Sequence, residues 1–157
     1  MALFLSTYVN KVDKKGRLSV PAPFRASLAG QTFNGIVAFR AHNLPALEAS
    51  GIDRMERLSA SIDDLDMFSD DRADLTATIF SDAHQLPFDG DGRVTLPTEL
   101  ADFLGLDGSA ALVGRGPTFQ IWEPKAFQRY QAEARDRVGK QGLSLHLRRP
   151  TRPEDAR

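Results

Sequence analysis

No cysteine occurs among the 157 residues. That absence excludes a disulfide framework and any thiolate-held zinc, the devices by which small extracellular chains make up for a thin core. Long hydrophobic runs are missing too. Nothing approaches the roughly 20 apolar residues of a membrane-spanning helix, and Leu3-Phe4-Leu5 is the one compact apolar stretch near the start. Its basic neighbours Lys11, Lys14 and Lys15 follow that stretch, whereas a secretory leader has them in front. The expectation is a cytosolic protein with no membrane partner. Histidine is scarce: His42, His84 and His146 are scattered, with no His-x-x-x-His spacing, so neither a metal site nor a cofactor is expected.

An excess of one charge is lacking as well, with 20 Lys and Arg against 21 Asp and Glu and a net charge of −1. A pI near 6.3 is far from the value above about 9 that marks many nucleic-acid-binding domains. Enzymatic signatures are equally absent. There is no phosphate-cradling Gly-x-x-x-x-Gly-Lys-Ser/Thr run, and Gly108-Ser109 lacks the Gly-x-Ser-x-Gly context of a strained nucleophile. The paired carboxylates Asp63-Asp64 and Asp70-Asp71 lie in an acidic segment and read as a solvated helix face. Neither enzymatic activity nor a small-molecule substrate is expected. What remains, 41% hydrophobic and 26% charged, is an ordinary folded composition at a length for one domain or two very small ones.

The chain does contain an internal repeat, the first thing to look for in any sequence. Residues 13–21 read Asp-Lys-Lys-Gly-Arg-Leu-Ser-Val-Pro and residues 89–97 read Asp-Gly-Asp-Gly-Arg-Val-Thr-Leu-Pro. Asp13, Gly16, Arg17 and Pro21 match Asp89, Gly92, Arg93 and Pro97 in one register, and Phe24 and Leu28 match Leu100 and Leu104. Each copy reads as strand, tight turn, strand and short helix. Gly16 and Gly92 fall where a hairpin needs positive φ. Leu18-Ser19-Val20 and Val94-Thr95-Leu96 alternate as a half-buried strand does. Pro21 and Pro97 stop the strand and suit the first turn of a helix, where a missing N–H costs nothing.

After each short helix a further hairpin is expected. In the second copy Ala110 to Val113 and Thr118 to Trp122 flank the turn Gly114-Arg115-Gly116-Pro117. In the first, Ile36 to Phe39 is a good strand, but Pro45 predicts an irregular partner. Between the copies, Ile52, Met55, Leu58, Ile62 and Leu65 recur at helical spacing, with a second helical stretch from Arg72 to Phe80. Pro124 to Val138 reads as a terminal helix stopped by Gly139, and from Lys140 onward a basic, disordered tail is expected.

One half made of two hairpins cannot bury much apolar surface alone. Two matching halves can cover each other, which predicts a mostly β fold with helices (α+β): a pseudo-twofold β-barrel built by one chain. The expected divisions are a first half over 7–54, a helical insert over 55–82, a second half over 83–126, and a C-terminal helix and tail over 127–157.

The pattern Asp-x-x-Gly-Arg-apolar-x-apolar-Pro followed by a short helix resembles the swapped-hairpin domain of AbrB-type bacterial transcription factors. Two copies with a helical insert between them, the second closed by Ile121-Trp122-Glu123-Pro124, resemble the MraZ family, which carries tandem SpoVT/AbrB-like domains. The resemblance covers residues 1 to about 138, and the chain departs from it at Leu44-Pro45-Ala46-Leu47, where a more regular strand is usual. It implies a cytoplasmic, nucleoid-associated repressor of its own division and cell-wall operon. Such a protein forms a homo-oligomeric ring on short direct repeats in double-stranded DNA upstream of its gene.

On that resemblance Arg17 and Arg93 are the expected DNA-reading residues, since a guanidinium fork matches guanine O6 and N7 or a phosphate. Asp13 and Asp89 orient them or accept turn N–H groups. Lys11, Lys14, Lys15 and Arg25 are the expected phosphate contacts around the first turn. Residues 10–30 carry a net charge of +4, whereas residues 86–106 carry −3, so the first half is expected to supply most of the affinity. Basic residues over 125–157 and acidic ones over 53–74 cancel at +5 and −5, so the near-zero total hides a patchwork. A different class stays open: an antitoxin-type or protein-interaction hub with structural arginines, in which the basic tail captures a partner. An antitoxin, however, needs no second copy in the same chain.

Overall fold

The computed structural model describes residues 2–150. Eight strands and five α-helices follow in the order β1 (Thr7–Lys11), β2 (Arg17–Ser19), α1 (Ala22–Ser27), β3 (Gly35–Arg40), β4 (Ala46–Ser50), α2 (Ile52–Asp63), α3 (Asp70–Leu75), a π-helical turn (Thr76–Phe80), β5 (His84–Pro87), β6 (Arg93–Thr95), α4 (Thr98–Leu104), β7 (Ser109–Gly114), β8 (Phe119–Trp122) and α5 (Pro124–Gln141). Six strands make one antiparallel sheet in the order β1-β7-β8-β4-β3-β5, and β2 and β6 pair as a separate ribbon. The fold is α+β, as expected.

That order shows how the copies interlock. The first strand of each copy pairs with the third strand of the other: β1 with β7, and β5 with β3. The hairpins β3–β4 and β7–β8 meet through β4 and β8, where Glu48 lies opposite Gln120. Gln120 Nε2 donates to Glu48 Oε1 at 2.6 Å, and Trp122 Nε1 donates to Gln120 Oε1 at 2.8 Å, giving the buried Gln120 acceptors and donors on both sides. In the ribbon, Leu18 faces its own repeat partner Val94. Neither copy has a sheet of its own. The hydrophobic surface one copy cannot cover is therefore covered by the other, which is the physical reason for the repeat.

The shared core follows from this pairing. Phe4, Phe24 and Phe119 pack with ring centroids 5.0 to 5.2 Å apart, and Tyr8 joins Phe24 at 5.5 Å. Of the early apolar run only Phe4 is buried. Its backbone exchanges hydrogen bonds with Gly116 in the other copy, while Leu3 and Leu5 stay exposed. The helical pairs Phe24 with Leu28 and Leu100 with Leu104 all point into the core.

Four local expectations need correction. The first-copy hairpin is regular: Pro45 stands just ahead of β4, so its missing N–H removes no ladder bond, and Arg40 to Val37 pair with Leu47 to Ser50 in register. Helix α2 ends at Asp63, leaving Leu65 outside it. Helix α5 runs through Gly139 to Gln141, and the glycine with positive φ that follows it is Gly142. A single glycine inside a helix costs only about 1 kcal/mol, too little to stop one. Pro21 and Pro97 take the cap position one residue earlier than expected, with nearly identical extended φ and ψ.

The chain forms two compact units, residues 1–127, containing both copies, and residues 128–157. In the second unit, residues 143–150 carry no regular secondary structure and are exposed, and the expected tail from Thr151 on lies outside the described residues. Among the described residues no helix is long and apolar enough to cross a membrane.

Candidate nucleic-acid interface

Both repeat turns are built alike, and their sequences say why. Asp13 opens the first: the Gly16 N–H returns to the Asp13 carbonyl at 3.0 Å, and the Asp13 N–H donates to the Arg17 carbonyl at 3.2 Å. Gly16 has φ +82, so this is a three-residue hairpin loop closed by a glycine in the left-handed region. Asp89 and Gly92 repeat the pattern at 3.1 and 2.9 Å, with φ +75 at the glycine. The glycines also carry tertiary contacts. The Gly16 carbonyl accepts from Leu96 N–H at 2.8 Å and the Gly92 carbonyl from Val20 N–H at 3.1 Å, so each turn is tied to the other copy.

Each aspartate binds both the turn backbone and the arginine four residues on. Asp13 Oδ1 accepts the backbone N–H groups of Arg17 and Lys15 at 2.9 and 3.0 Å, and Oδ2 accepts Arg17 Nε at 2.6 Å. Asp89 Oδ1 likewise accepts from Arg93 and Asp91 at 3.0 and 2.9 Å, and Oδ2 accepts Arg93 Nε at 3.0 Å. The Arg17 backbone N–H above all, then the Arg17 guanidinium and the Lys15 N–H, hold the Asp13 carboxyl below its ordinary value. In the second turn the Arg93 backbone N–H is again the largest cause, followed by the Asp91 N–H and the Arg93 side chain.

The ribbon brings the two arginines together. Arg17 lies opposite Thr95, Leu18 opposite Val94 and Ser19 opposite Arg93. Directly opposed residues, and residues two apart, share one face of a strand pair. Leu18 and Val94 are buried, so Arg17, Ser19, Arg93 and Thr95 occupy the outer face together. Two residues along and one strand across, the arginine Cα atoms stand ~8 Å apart by strand geometry. Sequence reading places each arginine at its own hairpin turn and does not show that, although the turns lie at opposite ends of the ribbon, with Gly16 beside Leu96 and Gly92 beside Val20, the two arginines are near neighbours. The alternation around Leu18 and Val94 held the signal, since an axial pairing of the two copies' second strands puts both arginines on the same side.

The two arginines are not equally engaged. Arg17 gives its Nε to Asp13, whereas Arg93 gives Nε to Asp89 and also Nη2 to Asp91 at 3.3 Å. Lys14 and Lys15 are exposed on the first loop, where the second has Gly90 and Asp91, and Lys11 is exposed at the end of β1 opposite Ser109. Arg25, expected around the first turn, is instead at the second: a Cβ added to Gly92 would meet its Cζ and Nε at 2.7 Å. The reason is the interlocking, which carries α1 of the first copy across to the turn of the second.

Several other charged groups pair with one another within the fold. His84 bridges the Asp82 backbone carbonyl at 2.8 Å and Glu99 Oε1 at 2.9 Å, and Arg40 pairs with the Asp82 and Glu99 carboxylates while its guanidinium lies over Phe103. Asp63 pairs with Arg72, and Asp70 and Asp71 occupy the first turn of α3, where a helix favours acidic residues. Among the described residues no group of three or more His, Cys, Asp or Glu is arranged to hold a metal ion.

A chain that folds by interlocking two copies of one strand–turn–strand–helix unit, with both turn arginines on one outer ribbon, belongs to the tandem-repeat α+β class. Comparison with known proteins narrows this. The family model described as "MraZ protein, putative antitoxin-like" matches residues 79–141. The Transcriptional regulator MraZ of Pelagibacter ubique (strain HTCC1062) is 44% identical over 143 residues, covering 91% of this chain and 92% of that protein. Those of Rickettsia akari (strain Hartford) and Rickettsia felis (strain ATCC VR-1525 / URRWXCal2) are 43% and 42% identical, each over 92% of this chain and 97% of theirs. The chain belongs to the MraZ family, a family of transcriptional regulators and not of enzymes.

Proposed function

We propose that the protein is a sequence-specific DNA-binding transcriptional regulator that represses its own division and cell-wall operon, acting at the nucleoid in the cytoplasm. The observation that carries this reading is the β2–β6 ribbon with Arg17 and Arg93 on one outer face. A two-stranded ribbon fits the major groove, and arginines whose Cα atoms stand ~8 Å apart are spaced to address neighbouring base pairs of roughly 3.4 Å rise each. Arg17 reads a guanine edge, Lys11, Lys14 and Lys15 hold phosphates, and Asp13 and Asp89 orient the arginines without touching DNA. One such ribbon has few phosphate contacts. A homo-oligomeric ring that engages several direct repeats at once gains by effective concentration, by roughly 10²- to 10⁴-fold.

The test is electrophoretic mobility shift with the DNA just upstream of the protein's own gene, across a salt series. Binding should be specific and weaken steeply with salt. Absent or salt-insensitive binding overturns the reading and favours the interaction-hub alternative, to which the antitoxin-like wording of the matched family description also points.

A further inference from the structure

The two turns differ most at a residue that belongs to neither. Arg25 stands in the last turn of α1, and its Nε donates to the Val20 carbonyl at 3.1 Å. Val20 in turn gives its own N–H to the Gly92 carbonyl. The Arg25 side chain thus reaches the second turn along a backbone already bonded to it. It lies against Gly92 so closely that a Cβ there would stand 2.7 Å from Cζ and Nε and 2.8 Å from Cδ, and Gly92 is buried beneath it.

At the matching place over Gly16 there is no such cover. The nearest atom to an added Cβ is the Leu96 carbonyl oxygen, and the residue equivalent to Arg25 is Ala101. A hollow of about 270 Å³ lies there, lined by Lys14, Lys15, Gly16 and Ala101 among others. The first turn carries its own lysines and stands open. The second has Gly90 and Asp91 in their place and part of the Arg93 fork spent on Asp91, but it is covered by a guanidinium from the other copy. Among the described residues the Arg25 Nη1 and Nη2 have no protein partner. The residue is exposed, and its Nε bond to the Val20 carbonyl anchors the guanidinium beside the turn.

We propose that Arg25 is the phosphate-binding residue of the second turn, supplied across the pseudo-twofold by the first copy. It replaces there the cations that Lys14 and Lys15 provide at the first turn, and the second half of the DNA-facing ribbon is built by both copies. A guanidinium with one nitrogen anchored and two free presents the paired donors that suit a phosphate oxygen pair. This inference rests on the DNA-binding reading given above.

The test is titration of the full chain with its upstream DNA by fluorescence anisotropy across a salt series. Arg25→Gln keeps a side-chain donor for the Val20 carbonyl and the packing on Gly92 but removes the charge, with Arg25→Ala and Arg17→Ala alongside. Arg25→Gln is expected to weaken binding several-fold and to reduce the slope of log affinity against log salt by about 0.9, the share of one phosphate. Combined with Arg93→Ala its effect is less than additive, because the two share one turn, and with Arg17→Ala it is additive. An unchanged slope for a folded Arg25→Gln protein, even with lowered affinity, would mean a purely structural cover for Gly92 and overturn the inference. If Arg17→Ala weakens binding while Arg25→Gln leaves the slope alone, only this inference falls. If the unaltered protein does not bind that DNA, the functional reading falls and takes this one with it.

Discussion

At the scale of single residues, Arg17 and Arg93 share a geometry and differ in what is left over. Among the described residues both terminal nitrogens of Arg17 are unpaired, while Arg93 spends one on Asp91. A bidentate base contact is worth about 1–3 kcal/mol, or roughly 5- to 150-fold. Arg17→Ala should therefore cost most of that range in affinity for the upstream DNA and Arg93→Ala distinctly less; equal losses by anisotropy titration, or the reverse order, would contradict the asymmetry. Gly16 is constrained twice over, since a side chain there meets the Leu96 carbonyl oxygen at 2.7 Å and must also adopt φ +82. Gly16→Ala should destabilise by about 2 kcal/mol or more, seen as a lower midpoint in urea. The aspartates add a pH dependence whose sign is fixed. Each turn grips the ionised carboxylate and so depresses its folded value. The stabilisation is therefore complete above the unfolded value of about 3.9 and is lost as pH falls through the depressed folded one. Melting temperature should show no pH dependence from these groups between about pH 7 and pH 5 and a fall below ~4, and Asp13→Asn with Asp89→Asn should flatten that acid limb.

At the scale of elements, the ribbon is short but not weakly held, because its inner face is Leu18 and Val94, both fully buried in the shared core. Leu18→Ala should cost about 2–5 kcal/mol by chemical denaturation. A protein that lost less than 1 kcal/mol would show that the ribbon is not seated as described. The same ribbon marks where sequence reading succeeds and where it stops. The turns, the alternation Leu18-Ser19-Val20 and the helices after Pro21 and Pro97 were legible because each is set by residues a few positions apart. Which strand pairs with which is set by residues as far apart as Thr7 and Val113, and nothing local says that β1 joins β7 and not β3. Sequence reading therefore assigns Arg25 to the wrong turn. Pro45 misled for the opposite reason: a local rule was applied one residue inside a strand that begins one residue later. The candidate arginines came from repetition and family resemblance, and their adjacency became visible only once the copies were interlocked.

At the scale of the whole molecule, the net charge of −1 is a sum over segments of opposite sign. The acidic residues of 53–74 lie on α2, α3 and their connection, and several are committed there, Asp63 to Arg72 and Asp66 to the Phe68 N–H. Lys11, Lys14 and Lys15 are exposed around the first turn with one carboxylate among them, and Asp13 is already saturated by the turn. Counterion release responds to the phosphates a surface neutralises locally, not to the protein's total charge. An acidic-to-neutral protein should therefore bind its upstream DNA with a steep salt dependence. Each of Lys11→Ala, Lys14→Ala and Lys15→Ala should lower the slope by about 0.9 per protomer engaged. Because phosphates carry no sequence information, each should weaken specific and unrelated DNA alike, whereas Arg17→Ala should narrow the gap between them. A lysine substitution that altered discrimination but not the salt slope would assign that lysine to a base edge and move the reading head from the ribbon to the loop.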